Sequence, residues 1–154
     1  MMEANLDLHI FIDGDACPVK EETYKVAARH GLGVTVVANS FLRVPPSPLI
    51  KLMVVDAGPD IADDYIAERA TASSIVITAD ILLAERCLNT DATVLAPTGK
   101  PFTAASIGSA VATRALMDQL RGSGEVTGGA PPFSQRDRSN FLQALHEAVV
   151  RLSR

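Results

Sequence analysis

The stretch HIFIDGDACPVKEE, residues 9–22, decides how the rest of the chain is read. An apolar, β-branched run, Leu8–Ile12, stops at two aspartates one residue apart, Asp13 and Asp15, and then at Cys17 and Pro18. The run reads as a strand. A helix should follow it, with Pro18 in the first turn, Glu21 and Glu22 near the positive end of the dipole, and Gly31 as the stop. A turn alone could use Asn or Gly without crowding like charges. The two carboxylates therefore raise four alternatives: a metal site, a phosphate-transfer nucleophile, a reactive thiol at Cys17, or a helix cap.

Working outward, the same strand-then-helix unit recurs. Val34–Ala38 is the second expected strand, followed by a stiff loop through Arg43-Val44-Pro45-Pro46-Ser47-Pro48. Leu52–Val55 is the third, and Gly58-Pro59-Asp60 opens a helix to about Ala70. Ser74–Thr78 is the fourth strand, Ile81–Leu88 a helix, and Thr93–Leu95 a fifth strand. Strands separated by single helices need right-handed crossovers, so the expected fold is α/β: a three-layer α/β/α sandwich around a mainly parallel, roughly five-stranded sheet. Ala104–Leu120 reads as a further helix. Gly122–Pro132, with four glycines and two prolines, reads as a loop. Ser134-Gln135-Arg136-Asp137 has the form of a capping box before a last helix.

The chain has 154 residues, 47% of them hydrophobic, which suits one folded domain spanning 1–154. Its two cysteines form no C-x-x-C pair, which points to a reducing compartment. The first residues, MMEANLDLHIF, lack the features of a signal peptide, and no apolar run approaches the roughly 20 residues of a membrane span. A soluble, cytoplasmic protein with no membrane partner is expected. The net charge of −4 is uneven: residues 1–96 hold 7 Lys/Arg and 14 Asp/Glu, residues 97–154 hold 7 and 4. Overall acidity speaks against a nonspecific nucleic-acid coat. It leaves room for an acidic cleft with a basic C-terminal helical segment, about 103–154, near a phosphate backbone.

In an open parallel sheet, ligands bind outside the C-terminal ends of the strands. Asp13 and Asp15 end strand one, Asp56 ends strand three, Asp60, Asp63 and Asp64 begin the next helix, and Asp80 ends strand four. All lie on one rim. Converging carboxylates repel unless a cation or a shared proton compensates. Oxygen-only ligands suit Mg²⁺ or Mn²⁺, and one or two such ions could activate water for a phosphodiester displacement. Singly, each aspartate has a plainer explanation: Asp60 as an N-cap, Asp63 as the second half of a cap, Asp56 in a loop, Asp64 solvated. The joint placement of Asp13, Asp15, Asp60, Asp63 and Asp80 is harder to explain by capping and favours a site. His9, His30 and His146 are scattered, which argues against a His-based zinc hydrolase.

Cys17 sits at a helix start, but no C-x5-R loop follows, so a thiol packing the turn is the preferred reading; Cys87 reads as core. Candidates for contacting phosphate are Ser40, Arg43, Thr78, Arg136 and Arg138, against the plainer roles of turn formation and exposed helix surface. Thr98-Gly99-Lys100 lacks the frame of a phosphate loop. A D-x-D phosphatase is a competing reading of Asp13-Gly14-Asp15. Its hydroxyl, lysine and late acidic pair would have to come in that order, and here Asp63-Asp64 precedes Thr78 and Lys100.

DGDACPV, ANSFLRVPPS, GPDIADDYI, VITADILLAERC, TGG and SQRDRSNF occur in this order and together resemble the YaiI/YqxD family over nearly the whole chain. The resemblance implies a PIN-like (PIN/NYN) domain and, as in active members of that superfamily, Mg²⁺- or Mn²⁺-dependent cleavage of RNA by clustered aspartates. By that resemblance Asp13, Asp63 and Asp80 are the metal-holding acids, Asp15 and Asp60 belong to the family's own motifs, and RNA is the expected partner. Asp56 and Asp64 rank lower, because relatives can lack an acid there. One departure stands out: members usually read D-A-D where this chain has D-G-D, and Gly14 is expected to loosen the geometry between the acids. A PIN-like module that binds RNA or protein without cleaving is the alternative.

Overall fold

The computed structural model describes residues 8–58, 60–122 and 132–153. Pro59, and residues 123–131 of the expected Gly/Pro loop, lie outside them. In chain order the elements are β1 (His9–Asp13), a 3-10 turn (Gly14–Ala16), α1 (Lys20–His30), β2 (Gly33–Ala38), β3 (Ile50–Val54), α2 (Ile61–Arg69), β4 (Ser74–Ile77), α3 (Ile81–Leu88), β5 (Thr93–Leu95), β6 (Pro101–Phe102), α4 (Ala104–Gly122) and α5 (Gln135–Leu152). The strand order is β3-β2-β1-β4-β5-β6, with every pairing parallel except β5 with β6.

Alternate side chains of the central strands feed two separate cores, which is what makes three layers. Ile10, Ile12, Val34, Val36, Ile75 and Ile77 pack on one face against α1 and α5 through Val26, Phe141, Leu145 and Val149. Phe11, Val37, Val76 and Val94 pack on the other against α2, α3 and α4 through Ile66, Leu83, Cys87 and Ile107. Strands covered on both faces read as continuous β-branched runs rather than as alternation. The sandwich is therefore α1/α5, sheet, α2/α3/α4.

Two expectations need correction. The sheet has six strands, because two residues containing a proline, Pro101–Phe102, add an antiparallel edge that carries no periodic signal. The proline-rich loop carries the crossover from β2 to β3, as expected. Pro18 lies before α1, which starts at Lys20 with Val19 at its N-cap. The capping box is present: the Ser134 hydroxyl accepts from the Asp137 amide, and the Asp137 carboxylate accepts from the Ser134 amide.

Candidate functional site

β1 pairs with both β2 and β4, and the chain runs from β1 toward β2 and from β4 toward β5. The strand order thus reverses between β1 and β4, and a crevice opens at their C-terminal ends, the usual ligand position in such sheets. Asp13 is the last residue of β1, and Thr78, Ala79 and Asp80 directly follow β4. The Thr78 hydroxyl, 2% exposed, donates to Asp13 Oδ2 at 2.8 Å and accepts from the Asp80 amide at 2.9 Å. One buried hydroxyl therefore bridges the crevice and orients the Asp13 carboxylate. Thr78 is a positioning group rather than a surface phosphate contact.

Asp80 is the N-cap of α3: its Oδ1 accepts from the Leu82 and Leu83 amides at 2.9 and 3.1 Å. Asp63, in the first turn of α2, accepts no hydrogen bond among the described residues and is half-buried. Its carboxyl is pushed up to about 6, first by burial and then by the negative charges of Asp80, Asp13 and Asp60. Asp13 is also raised, by burial and by Asp80 and Asp15, although the Thr78 hydrogen bond opposes the shift. Three carboxylates from three elements thus stand within reach of one another's fields. Arg86, which acts on Asp63, has its guanidinium bonded to Asp64 at 2.7 Å.

The other acids divide by role. Asp15 turns both oxygens to the Asn39 amide, at 3.2 and 3.0 Å, and so ties the turn after β1 to the end of β2. Asp60 occupies the N-cap position of α2 in a left-handed conformation, φ 68°, and its side chain makes no cap bond. The capping explanation therefore fails for Asp60 and holds in part for Asp80. Asp56 contributes its carbonyl, which accepts from Asn39 Nδ2, and Asp64 is the partner of Arg86.

Among the expected phosphate contacts, Ser40, Arg43 and Arg136 are exposed. Arg138 is not free for phosphate: its guanidinium donates to the Pro18 carbonyl at 2.6 Å and to Glu22 at 3.4 Å, and lies 5.0 Å from the centre of the Phe133 ring. It fastens the start of α5 to the loop before α1. Two residues that the sequence reading missed hold the acidic loop. Lys20 Nζ donates to the Gly14 and Cys17 carbonyls, and Asn39 stitches the ends of β1, β2 and β3 together. Asn39 had a legible signal, since it follows a strand on the same rim as the aspartates. Both cysteines are buried with raised pKa values, Cys87 to about 11, as fits packing thiols. His9 lies at the opposite end of β1, bonded to Thr35, and no histidine enters the acidic crevice.

Gly14 has no room for a side chain. It is buried, and a Cβ there would lie 2.6 Å from Val36 Cγ1 and 3.1 Å from the Val37 carbonyl oxygen. Val36 is fully buried and β-branched, so it yields at a cost. Gly14→Ala is expected to destabilise the protein by about 1–3 kcal/mol, read as a lower midpoint in urea with unchanged slope. A neutral result would show that the turn gives way instead.

The donor set is all carboxylate, and Asp13 and Asp63 are raised in pKa first by burial and then by neighbouring negative charge, which a hard divalent cation relieves. Among the described residues no three His, Cys, Asp or Glu side chains are placed so that they could hold a metal ion together. What the acids leave room for is a site in which at most two of them bind an ion directly and water completes the shell, the usual form for magnesium.

The profile of the family described as "Uncharacterized BCR, YaiI/YqxD family" matches residues 11–151. The chain belongs to the YaiI/YqxD family. Similar relatives are a UPF0178 protein of Sphingopyxis alaskensis, 64% identical over 94% of this chain and 95% of its own, and one of Rhodopseudomonas palustris strain BisB5, 58% identical over 94% and 88%. A UPF0178 protein of Nitrobacter winogradskyi is 55% identical over 96% of this chain and 94% of its own. No solved structure matches the chain significantly. Among the described residues no helix is long and apolar enough to cross a membrane.

Proposed function

We propose that this YaiI/YqxD family member is a PIN-like, metal-dependent nuclease that cuts RNA, with Mg²⁺ or Mn²⁺ held among Asp13, Asp63 and Asp80, at most two of them directly and the rest through water. The observation that carries this reading is the gathering of like charges at the β1/β4 crevice, where burial first and then Asp80, Asp13 and Asp60 raise Asp63 to about 6. A fold gains nothing from such repulsion, and clustered perturbed carboxylates in a crevice are the mark of a working site. When bound, the ion supplies a Lewis acid for water and for a phosphate oxygen.

The chain's own groups do the rest. Thr78 keeps Asp13 in one orientation, and the α3 amides do the same for one oxygen of Asp80. Asp60, exposed and free of cap bonds, is the acid available to orient a water. Asp15 braces the loop through Asn39. Beyond Asn39, Phe41 is 77% exposed and Arg43 is exposed, an aromatic face and a cation of the kind that holds single-stranded nucleic acid. A cytoplasmic setting, where RNA is at hand and thiols stay reduced, suits the two buried free cysteines.

The test is cleavage of single-stranded and structured RNA with Mn²⁺, comparing the natural protein with Asp13→Asn and Asp80→Asn. Asn is as good an N-cap as Asp, so Asp80→Asn removes charge and keeps the cap, whereas Asp80→Ala also loses about 1 kcal/mol of stability. Both Asn variants are expected to lose at least about a hundredfold in rate, the scale of removing a group that stabilises transition-state charge. Activity unchanged in both ends the nuclease reading. Single strands bound but never cut would support the binding module instead.

A further inference from the structure

Beside the acidic crevice lies a second, larger cleft. The crevice itself is a small space of about 170 Å³ lined by Asp13, Asp15, Cys17 and Thr78. It shares Ala16, Ala79 and Pro97 with a cleft of about 680 Å³ that runs under β6 and α4. The two lining sets differ sharply in chemistry. Among the described residues the small crevice carries carboxylates and no cation. Among them the larger one carries no carboxylate; it has the rings of Phe102 and Phe133, the ammonium-bearing Lys100, and the hydroxyls of Thr98, Ser106 and Ser109.

We propose that this cleft is a nucleoside subsite, which takes one unpaired base and its sugar from a single-stranded oligonucleotide whose adjoining phosphate reaches the acids. The proposal rests on the nuclease reading for the role of the neighbouring phosphate, but the binding it describes does not require cleavage. Flat apolar walls with a few convergent polar groups suit a base and its sugar, and 680 Å³ falls within the range of small-ligand sites. Aromatic rings are the usual platforms for unstacked bases, and a base held in a duplex cannot offer its faces to them. Lys100 supplies the one positive charge among the described residues that line the cleft, complementary to a backbone phosphate. The walls are braced. Arg138 joins the Phe133 ring to the Pro18 carbonyl, and both residues line the cleft. The Lys100 ammonium beside two aromatic rings favours an anionic nucleotide chain over a peptide, and the neighbouring acids accept its phosphate only through the cation of the nuclease reading.

The probe is a fluorescein-labelled five-nucleotide single-stranded RNA, with a hairpin of paired bases as comparison, followed by fluorescence anisotropy. Binding is read on Asp63→Asn protein in EDTA, so that neither cleavage nor full carboxylate repulsion interferes. Ser109→Leu, on an exposed turn of α4, fills the cleft without touching the core, and Lys100→Gln removes its charge. Single strands are expected to bind at least about tenfold more tightly than the hairpin, the scale of losing one stacked base. Ser109→Leu should remove most of that preference. Lys100→Gln should weaken binding about threefold to tenfold and reduce the salt slope by about one counterion. Circular dichroism and the melting temperature confirm that both variants are folded.

No binding of the single strand, or equal affinity in Ser109→Leu, overturns the subsite. The two readings fail separately. Cleft-dependent binding without Mn²⁺-dependent cleavage keeps the subsite and removes the nuclease. Cleavage with a KM indifferent to Ser109→Leu keeps the nuclease and removes the subsite.

Discussion

Asp63→Asn should make the metal-free protein more stable near neutral pH while abolishing Mn²⁺-dependent cleavage. The two effects have one cause. Asp63 is half-buried, accepts no hydrogen bond among the described residues, and faces the charges of Asp80, Asp13 and Asp60. Its pKa rises from 3.8 to about 6. A rise of that size would correspond to roughly 3 kcal/mol for a group sealed from water. Solvent screening at a half-exposed carboxyl brings the expected gain of the Asn variant to about 1 kcal/mol. For a chain of this length that is a melting temperature about 2–4 °C higher.

The sign follows from linkage. A group whose folded pKa lies above its unfolded value favours the folded state fully below the unfolded value, and loses that contribution as pH rises through the folded one. For Asp63 the window runs from about 3.8 to about 6. The advantage of Asp63→Asn should therefore be absent below about pH 4 and grow through about pH 6. Melting curves across that range, taken in EDTA, check it. Saturating Mg²⁺ should restore the natural protein toward the variant, because a bound cation stabilises the state that binds it. A variant that is less stable at every pH would mean Asp63 supports the fold, and the repulsion argument for the site would go with it.

Gly99→Ala is the substitution expected to cost most in stability. Gly99 has φ 89°, and an added Cβ would lie 2.7 Å from the Asn140 carbonyl carbon and oxygen and 2.8 Å from the Phe141 amide nitrogen. These are backbone atoms of α5, with no side chain that could swing aside. The conformation alone costs a non-glycine residue about 1–3 kcal/mol, and the overlap forces the turn off the helix. A total of about 3–4 kcal/mol would lower the melting temperature by roughly 6–16 °C. Gly108→Ala in α4, where an added methyl meets nothing within 4 Å, is the contrast and should stabilise by about 0.5–1 kcal/mol through helix propensity. The same turn carries Thr98 and Lys100 into the larger cleft, so surviving Gly99→Ala protein should also bind single strands less well. Stability equal to that of Gly108→Ala would show that the turn and α5 are not locked together.

Much of this architecture was legible because the chemistry behind it is local. Ile81–Leu88 and Thr93–Leu95 occupy the expected bounds, since Asp80 caps the helix and the β-branched run TVL is short and clean. The last helix starts where its capping box places it, and Gly31 ends α1 in a left-handed conformation. β6 was invisible: a two-residue strand exists only because its partner, β5, is already there. The start of α1 was misplaced because Pro18 suits either a first helical turn or the turn before it, and Arg138 bonding to the Pro18 carbonyl belongs to the latter.

The site divides along the same line. The chain alone determined that seven aspartates fall just past strand ends or at helix starts, and hence that they share one rim, because alternation of strand and helix follows from periodicity and turn chemistry. Which of them meet is a property of strand order, which no local pattern encodes. Placing β4 beside β1 brings Asp63 and Asp80 into the field of Asp13, threads the Thr78 hydroxyl between two of them, and leaves Asp64 to Arg86. The same packing turned Arg138 inward and showed Gly14 to be a point of close contact with Val36. Charges that repel across a crevice, and methyl groups with no room, are facts of three-dimensional distance. Only the tertiary structure could decide them.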